Sequence, residues 1–230
     1  MSLPTTVDGV LSRMHDIEAA LPSGDGAAVF NAMYLTVTER IGATIAKAGA
    51  VGAPTFHDPV AMADLDVRFA NLWLTAYDAA TGHRPVPTAW RPLFAARDAG
   101  REPIQYALAG MNTHIEHDLP VAVVDTCRAR GVTPDEVHPD FEAVNGVLAQ
   151  VEDEIRRSFL DQVGRAADAG MGRLAHLVSC WSIDKARDVS WVTAETLWTL
   201  RDVGPLRDRF LDGLADTVGM ATSALLVPVI

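Results

Sequence analysis

Apolar residues recur at three- and four-residue steps along almost the whole chain, and no comparable stretch alternates with period two. That pattern constrains the fold most, because a helix buries one stripe at those steps whereas a half-buried strand buries every second residue. One stripe holds Phe30, Met33, Tyr34, Val37, Ile41 and Ile45, and another Leu65, Phe69, Leu72, Trp73, Ala76 and Tyr77. Later stripes run from Phe141 through Val144, Leu148, Val151, Ile155 and Phe159, from Ile183 through Trp191, Ala194, Leu197 and Trp198, and from Leu206 to Leu225. The Val-rich tail after Leu225 is interrupted by Pro228, so no sheet is assigned.

Start and stop signals separate the stripes. A first helix of about 15 residues starts near Thr6 and ends before the turn cluster Leu21-Pro-Ser-Gly-Asp-Gly. Asp25 caps the second helix, and Asp58-Pro59 supplies an N-cap followed by proline at the first helical position, where its missing N–H costs nothing. Thr88 to Arg97 makes a shorter piece, and Pro103 to Arg130 a longer one that Pro120 is expected to kink or break. Thr133-Pro-Asp-Glu reads as a capping box, which His138-Pro139-Asp140 then interrupts so that Asp140 caps the long helix after it. Ser182 caps the next. The expected fold is all-α, a single domain over residues 1–230, built as a bundle of about seven to nine helices.

Length and charge exclude several functions. A chain of 230 residues buries a core without staples, and its 21% charged share is too modest for disorder. A net charge of −11, with 19 scattered basic residues, argues against nucleic acid and anionic membrane surfaces, both of which require clustered Lys and Arg. No run approaches the roughly 18 apolar residues of a membrane span, and the first residues lack a leader pattern, so cytoplasmic residence is the expectation. Cys127 and Cys180 stand far apart and read as small buried hydrophobes. Without a glycine-rich phosphate loop, no nucleotide cofactor is expected, and the zinc-protease and serine-hydrolase motifs are missing too.

Polarity concentrates in Gly110-Met-Asn-Thr-His-Ile-Glu-His-Asp-Leu-Pro120, inside an otherwise apolar helix. His114 and Asp118 are i,i+4 neighbours on one face, His117 lies beside them, and Asn112 points toward another side. Ala107 and Gly110, one turn earlier, leave room for a ligand or a neighbouring backbone. Such a pair serves proton transfer, the carboxylate fixing the imidazole's tautomer, or holds a divalent metal jointly with ligands from elsewhere, for which His57, His138 and Asp140 are the candidates. The same pair also suits a purely structural hydrogen bond. In Trp181-Ser-Ile-Asp184-Lys-Ala-Arg187, the indole, acid and guanidinium fit a pocket wall for an anionic or aromatic ligand, and equally fit core packing with a solvated ion pair.

The run Pro103 to Pro120, with Asp140-Phe-Glu-Ala-Val-Asn145 and Trp181 to Arg187, resembles a bacterial family described as a domain of unknown function (family 5995), over nearly the whole chain. That resemblance supports singling out Asn112, His114 and Asp118 and implies neither activity nor cofactor. The His-x-x-x-Asp spacing is also similar to one part of the site of helical zinc-dependent phospholipases, from which no residue is carried over.

The leading expectation is a small-molecule enzyme with a site between helices: His114 as acid or base, Asp118 orienting it, and Asn112, His117, Trp181, Asp184 and Arg187 contacting substrate. Hydrolysis, cyclisation and isomerisation all remain open. The alternatives are a metal-dependent hydrolase with His114 and Asp118 as ligands, and a non-catalytic helical protein that binds a ligand or forms homo-oligomers.

Overall fold

A computed structural model describes residues 2–47, 56–163 and 182–228, and these form a helical bundle with no strand among them. The helices are α1 (Val7–Ala20), α2 (Gly26–Ala46), α3 (Pro59–Thr81), α4 (Arg91–Ala96), α5 (Pro103–Thr113), α6 (Leu119–Arg130), α7 (Pro134–Ala143), α8 (Asn145–Val163), α9 (Ile183–Thr199) and α10 (Gly204–Leu225). A 3-10 turn, Thr88–Trp90, leads into α4. A π-helical turn, His114–Asp118, joins α5 to α6 as one rod. Counting that rod once gives nine described helices, within the expected range.

The expected helix starts hold. Thr6 accepts the Gly9 amide, Asp25 those of Ala27 and Ala28, and Asp58 that of Ala61, each satisfying N–H groups that a helix end leaves orphaned. Thr133 and Glu136 close the capping box. Ser182 occupies the N-cap position of α9 without a side-chain cap bond.

Two expected breaks fall elsewhere. The rod runs through Pro120 because the ladder changes register just before it: the Leu119 N–H reaches back five residues to the His114 carbonyl, which accommodates a residue that cannot donate. Pro139 lies inside α7, which ends only at Ala143. Pro139 and Asp135 are both exposed, so the carbonyl freed by the proline faces water. Asp140 therefore does not begin α8. Its buried carboxylate instead accepts the amides of His57 and Asp58, at 2.7 and 2.8 Å, and fixes the entry to α3 from a distant part of the chain.

The rod is the axis of the bundle. Every residue from Ile104 to Met111 is buried, the mark of a helix covered on all sides rather than along one stripe. Helices α2, α3, α9 and α10 pack around the rod, and α1 braces α2 from outside. Gly110 sets the spacing on the α2 side, since a Cβ there would lie 2.2 Å from the Phe30 ring. The room beside Gly110 is thus filled by Phe30.

Candidate functional site: an apolar cavity with unpartnered polar atoms

His114 leaves the rod at its π turn and enters a cluster of aromatic rings. It stacks on Phe69, with ring centroids 3.6 Å apart and planes 8° apart, and meets the edges of Tyr34 at 4.4 Å and Phe30 at 5.8 Å. His114 and Asp118 are each 2% exposed. The His114 Nδ1 lies 2.9 Å from one Asp118 oxygen, which also accepts the Trp90 indole N–H at 2.9 Å. The second Asp118 oxygen lies 2.7 Å from the His117 Nδ1. Burial alone would raise the Asp118 carboxyl, but hydrogen bonds from the two imidazoles outweigh it and hold the group below the usual carboxylate range. Burial likewise pushes the His114 imidazole below its ordinary value, against the pull of Asp118. The pair is thus a neutral imidazole against a carboxylate. That assigns the proton to Nδ1 and leaves the Nε2 lone pair free.

Nε2 has no hydrogen-bond partner. Its ring lines a cavity of about 90 Å³ enclosed, among the described residues, by side chains of α2, α3, the rod, α7, α8 and α9. Phe30, Leu65, Phe69 and Met111 give the wall its apolar character, while Met33, Val37 and Ile115 on its edge are partly exposed. The space holds several waters or one small ligand.

Two further unpartnered groups belong to residues of the same wall. The Tyr34 hydroxyl and the Asp66 Oδ2 are buried without a partner, and both residues line the cavity. Burial raises the Asp66 carboxyl to about 7, so roughly half of it is protonated at neutral pH. Burial, reinforced by the charge of Asp66 and opposed by the neighbouring Thr38 side chain, lifts the Tyr34 phenol well above its usual range and keeps it a neutral donor. Among the described residues, the five other buried atoms without a hydrogen bond, on Arg68 (whose Nε still pairs with Asp64 at 3.1 Å), Asn71, Thr126, Arg130 and Ser190, belong to residues that line no part of this cavity. Buried polar groups are ordinarily paired, so three open ones around a single space mark it out.

Arg187 on α9 lines the cavity as well. Its Nε donates to Asn145 Oδ1 at 2.7 Å and one Nη to the Phe141 carbonyl at 2.5 Å, while the guanidinium lies 3.8 Å over the Phe141 ring. Burial lowers it to about 10, so it stays charged.

The remaining candidates stand apart. His117 is half-buried and supports Asp118 from outside the cavity. Asn112 donates to Thr222 on α10, at 3.1 Å, and so ties two helices together. Asp184 is exposed, away from the cavity wall. Trp181 lies outside the described residues. His57 is largely exposed beside Asp140, and His138 packs 4.4 Å from the Trp191 ring, neither of them lining the cavity. Among the described residues no three His, Cys, Asp or Glu side chains come together as a metal would need.

The model of a family of unknown function, DUF5995, matches residues 7–228. The chain belongs to that family. No curated protein and no solved structure matches the DUF5995 chain, so its site has to be read from its own geometry. Asp66 and Tyr34 are the members that motif reasoning passes over. Their signal was faint: an acid one residue from Leu65 and three from Phe69, and a phenol inside an apolar stripe.

Proposed function

We propose that this DUF5995 protein is a small-molecule enzyme that moves a proton on a substrate held in the cavity, with His114 Nε2 as the base. The observation that carries this reading is the asymmetry of His114. One ring nitrogen is fixed by a fully partnered carboxylate and the other is buried and unpartnered, on a residue that belongs to the wall of an apolar cavity. A base needs both features: a set tautomer, and a lone pair that no protein donor consumes. Asp118 is the positioning residue, and Trp90 and His117 hold it in turn.

The groups around the base favour isomerisation or cyclisation over hydrolysis. The Tyr34 hydroxyl and the protonated form of Asp66 are neutral donors in a dry site, suited to stabilising an oxygen that gains negative charge when a neighbouring C–H is deprotonated. In such a step, on a carbonyl compound with a C=C next to the acidic carbon, His114 Nε2 takes the proton and the C–H pair forms a new C=C while the carbonyl pair moves onto its oxygen, held by Tyr34 or Asp66. The carbonyl then re-forms, the original C=C shifts, and the proton returns from His114 to the far carbon of that bond. The base stays neutral at physiological pH because burial keeps its proton affinity low. Metal-assisted hydrolysis would need ligands beyond His114 and Asp118; His117 meets Asp118 by a hydrogen bond, and no three such groups among the described residues are arranged to hold a metal ion.

The test is conversion of small molecules from a metabolite extract, followed by mass spectrometry and by deuterium uptake from D2O. Wild-type protein should exchange or rearrange specific compounds. His114→Gln should lose that activity by at least about a hundredfold, in line with the usual contribution of a general base, while its melting temperature stays near that of wild type. Equal conversion by the two proteins contradicts the proposal. Ligand-dependent stabilisation with no exchange supports a binding protein instead.

A further inference from the structure

We infer that the cavity takes a small, mainly apolar carboxylic acid, and that Arg187 binds its carboxylate. This rests on the reading of the cavity as the ligand site but does not depend on catalysis by His114.

Arg187 is a cation with almost no contact with solvent, 7% exposed, and no carboxylate of the protein lies within ion-pairing distance of it among the described residues. Its two protein hydrogen bonds go to neutral oxygens, an amide side chain and a backbone carbonyl. Buried charges are normally paired, because transfer from water costs several kcal/mol per ion unless an opposite charge compensates. Stacking on Phe141 offsets only a small part of that cost. Nη1 makes no hydrogen bond to the described residues, since the two bonds of the side chain run through Nε and the other Nη. A planar donor with a spare N–H, whose charge is met only by exposed acids at a distance, matches a carboxylate oxygen.

The rest of the wall decides what carries that carboxylate. Apart from His114, Tyr34, Asp66 and Arg187, every residue described as lining the space is apolar. The charges acting on Arg187 are Glu142, Asp184 and Asp188; Arg187 comes from α9 and is tied to α7 and α8, whereas Tyr34 and Asp66 come from α2 and α3, so the cation and the two other polar groups enter the wall from different helices. Glu142, Asp184 and Asp188 are exposed, so solvent screens their repulsion of an incoming anion. A ligand with an anionic end, a short apolar body and a polar, reactive far end fits this layout. At about 90 Å³ the space is smaller than the roughly 150 Å³ known to admit benzene, which limits the body to a short chain.

Propanoate and 1-propanol, equal in chain length and different in charge, are the probes, with binding to the full chain read by calorimetry at pH 8. Propanoate should bind wild type at least tenfold more tightly than 1-propanol. Arg187→Met should remove that preference, and Arg187→Lys should retain part of it. Because Arg187 also ties α9 to α7 and α8, circular dichroism checks that each variant folds; if Arg187→Met does not, wild type and Arg187→Lys carry the test. Equal affinities of the two probes for wild type, no propanoate binding, or a preference that survives in folded Arg187→Met overturns the inference. A propanoate preference in wild type without any turnover would leave it standing and remove the catalytic proposal alone.

Discussion

Two sets of buried polar groups share this bundle, and they are treated in opposite ways. At Asp25 every available contact is used: the carboxylate accepts the Ala27 and Ala28 amides and pairs with Arg97, one of whose nitrogens donates at 2.8 Å. Gln105 accepts the Glu102 amide and donates to the carbonyls of Leu225 and Val227, tying the chain's end to the rod. Around the cavity, His114 Nε2, the Tyr34 hydroxyl and Asp66 are buried to a similar degree and left open. Complete pairing is what structural polar groups need, since an unmade bond in a dry interior costs about 1–3 kcal/mol. Open groups gathered in one place destabilise the fold and persist where a ligand completes them.

The contrast predicts stability changes of opposite sign. Asp25→Ala should destabilise by about 3–5 kcal/mol in urea melts, because it orphans helix amides and leaves Arg97 unpaired. A loss below about 1 kcal/mol would erase the distinction between the two sets.

Asp66→Asn should stabilise. The folded carboxyl keeps its proton up to about pH 7 whereas the unfolded one releases it near the ordinary 3.8, so wild-type stability is highest below 3.8 and falls as pH rises from there to about 7. The variant escapes that loss and should gain up to about 4 kcal/mol at pH 8, with the gain shrinking by roughly 2 kcal/mol at pH 5.5. A pH-independent destabilisation would show that Asp66 is paired in solution.

Tyrosine to phenylalanine exchanges compare the sets within one residue type. The Tyr106 hydroxyl donates to the Ala96 carbonyl and accepts the Arg101 amide, so Tyr106→Phe should cost about 1–2 kcal/mol. Tyr34→Phe should change stability by less than about 0.5 kcal/mol, or raise it, while reducing turnover of any substrate found. Equal costs would mean that Tyr34 has a partner after all.

The helices and most of their caps were legible because each depends on residues within one turn: Asp25, Asp58 and Thr133 act on amides two or three positions away. His114 and Asp118 stood out for the same local reason, as polar groups one turn apart in an apolar run. Asp140 and Asp66 were obscure because their roles are tertiary. Asp140 looked like a cap for its own helix, yet the amides it holds lie more than 80 residues earlier in the chain. Asp66 matters for a partner it does not have, and no spacing encodes an absence. Pro120 was visible as an irregularity, but whether a proline breaks a helix or widens it into a π turn depends on packing from both sides.

The most direct test is a nitrogen-15 NMR titration of the histidine ring nitrogens, with the His114 signals assigned by His114→Gln. The prediction is a neutral ring at pH 7 protonated on Nδ1, with its midpoint below the ordinary imidazole value of 6.5 and Nε2 unprotonated. A proton on Nε2 at pH 7, or a midpoint above 6.5, would mean that the nitrogen facing the cavity is not available as a base.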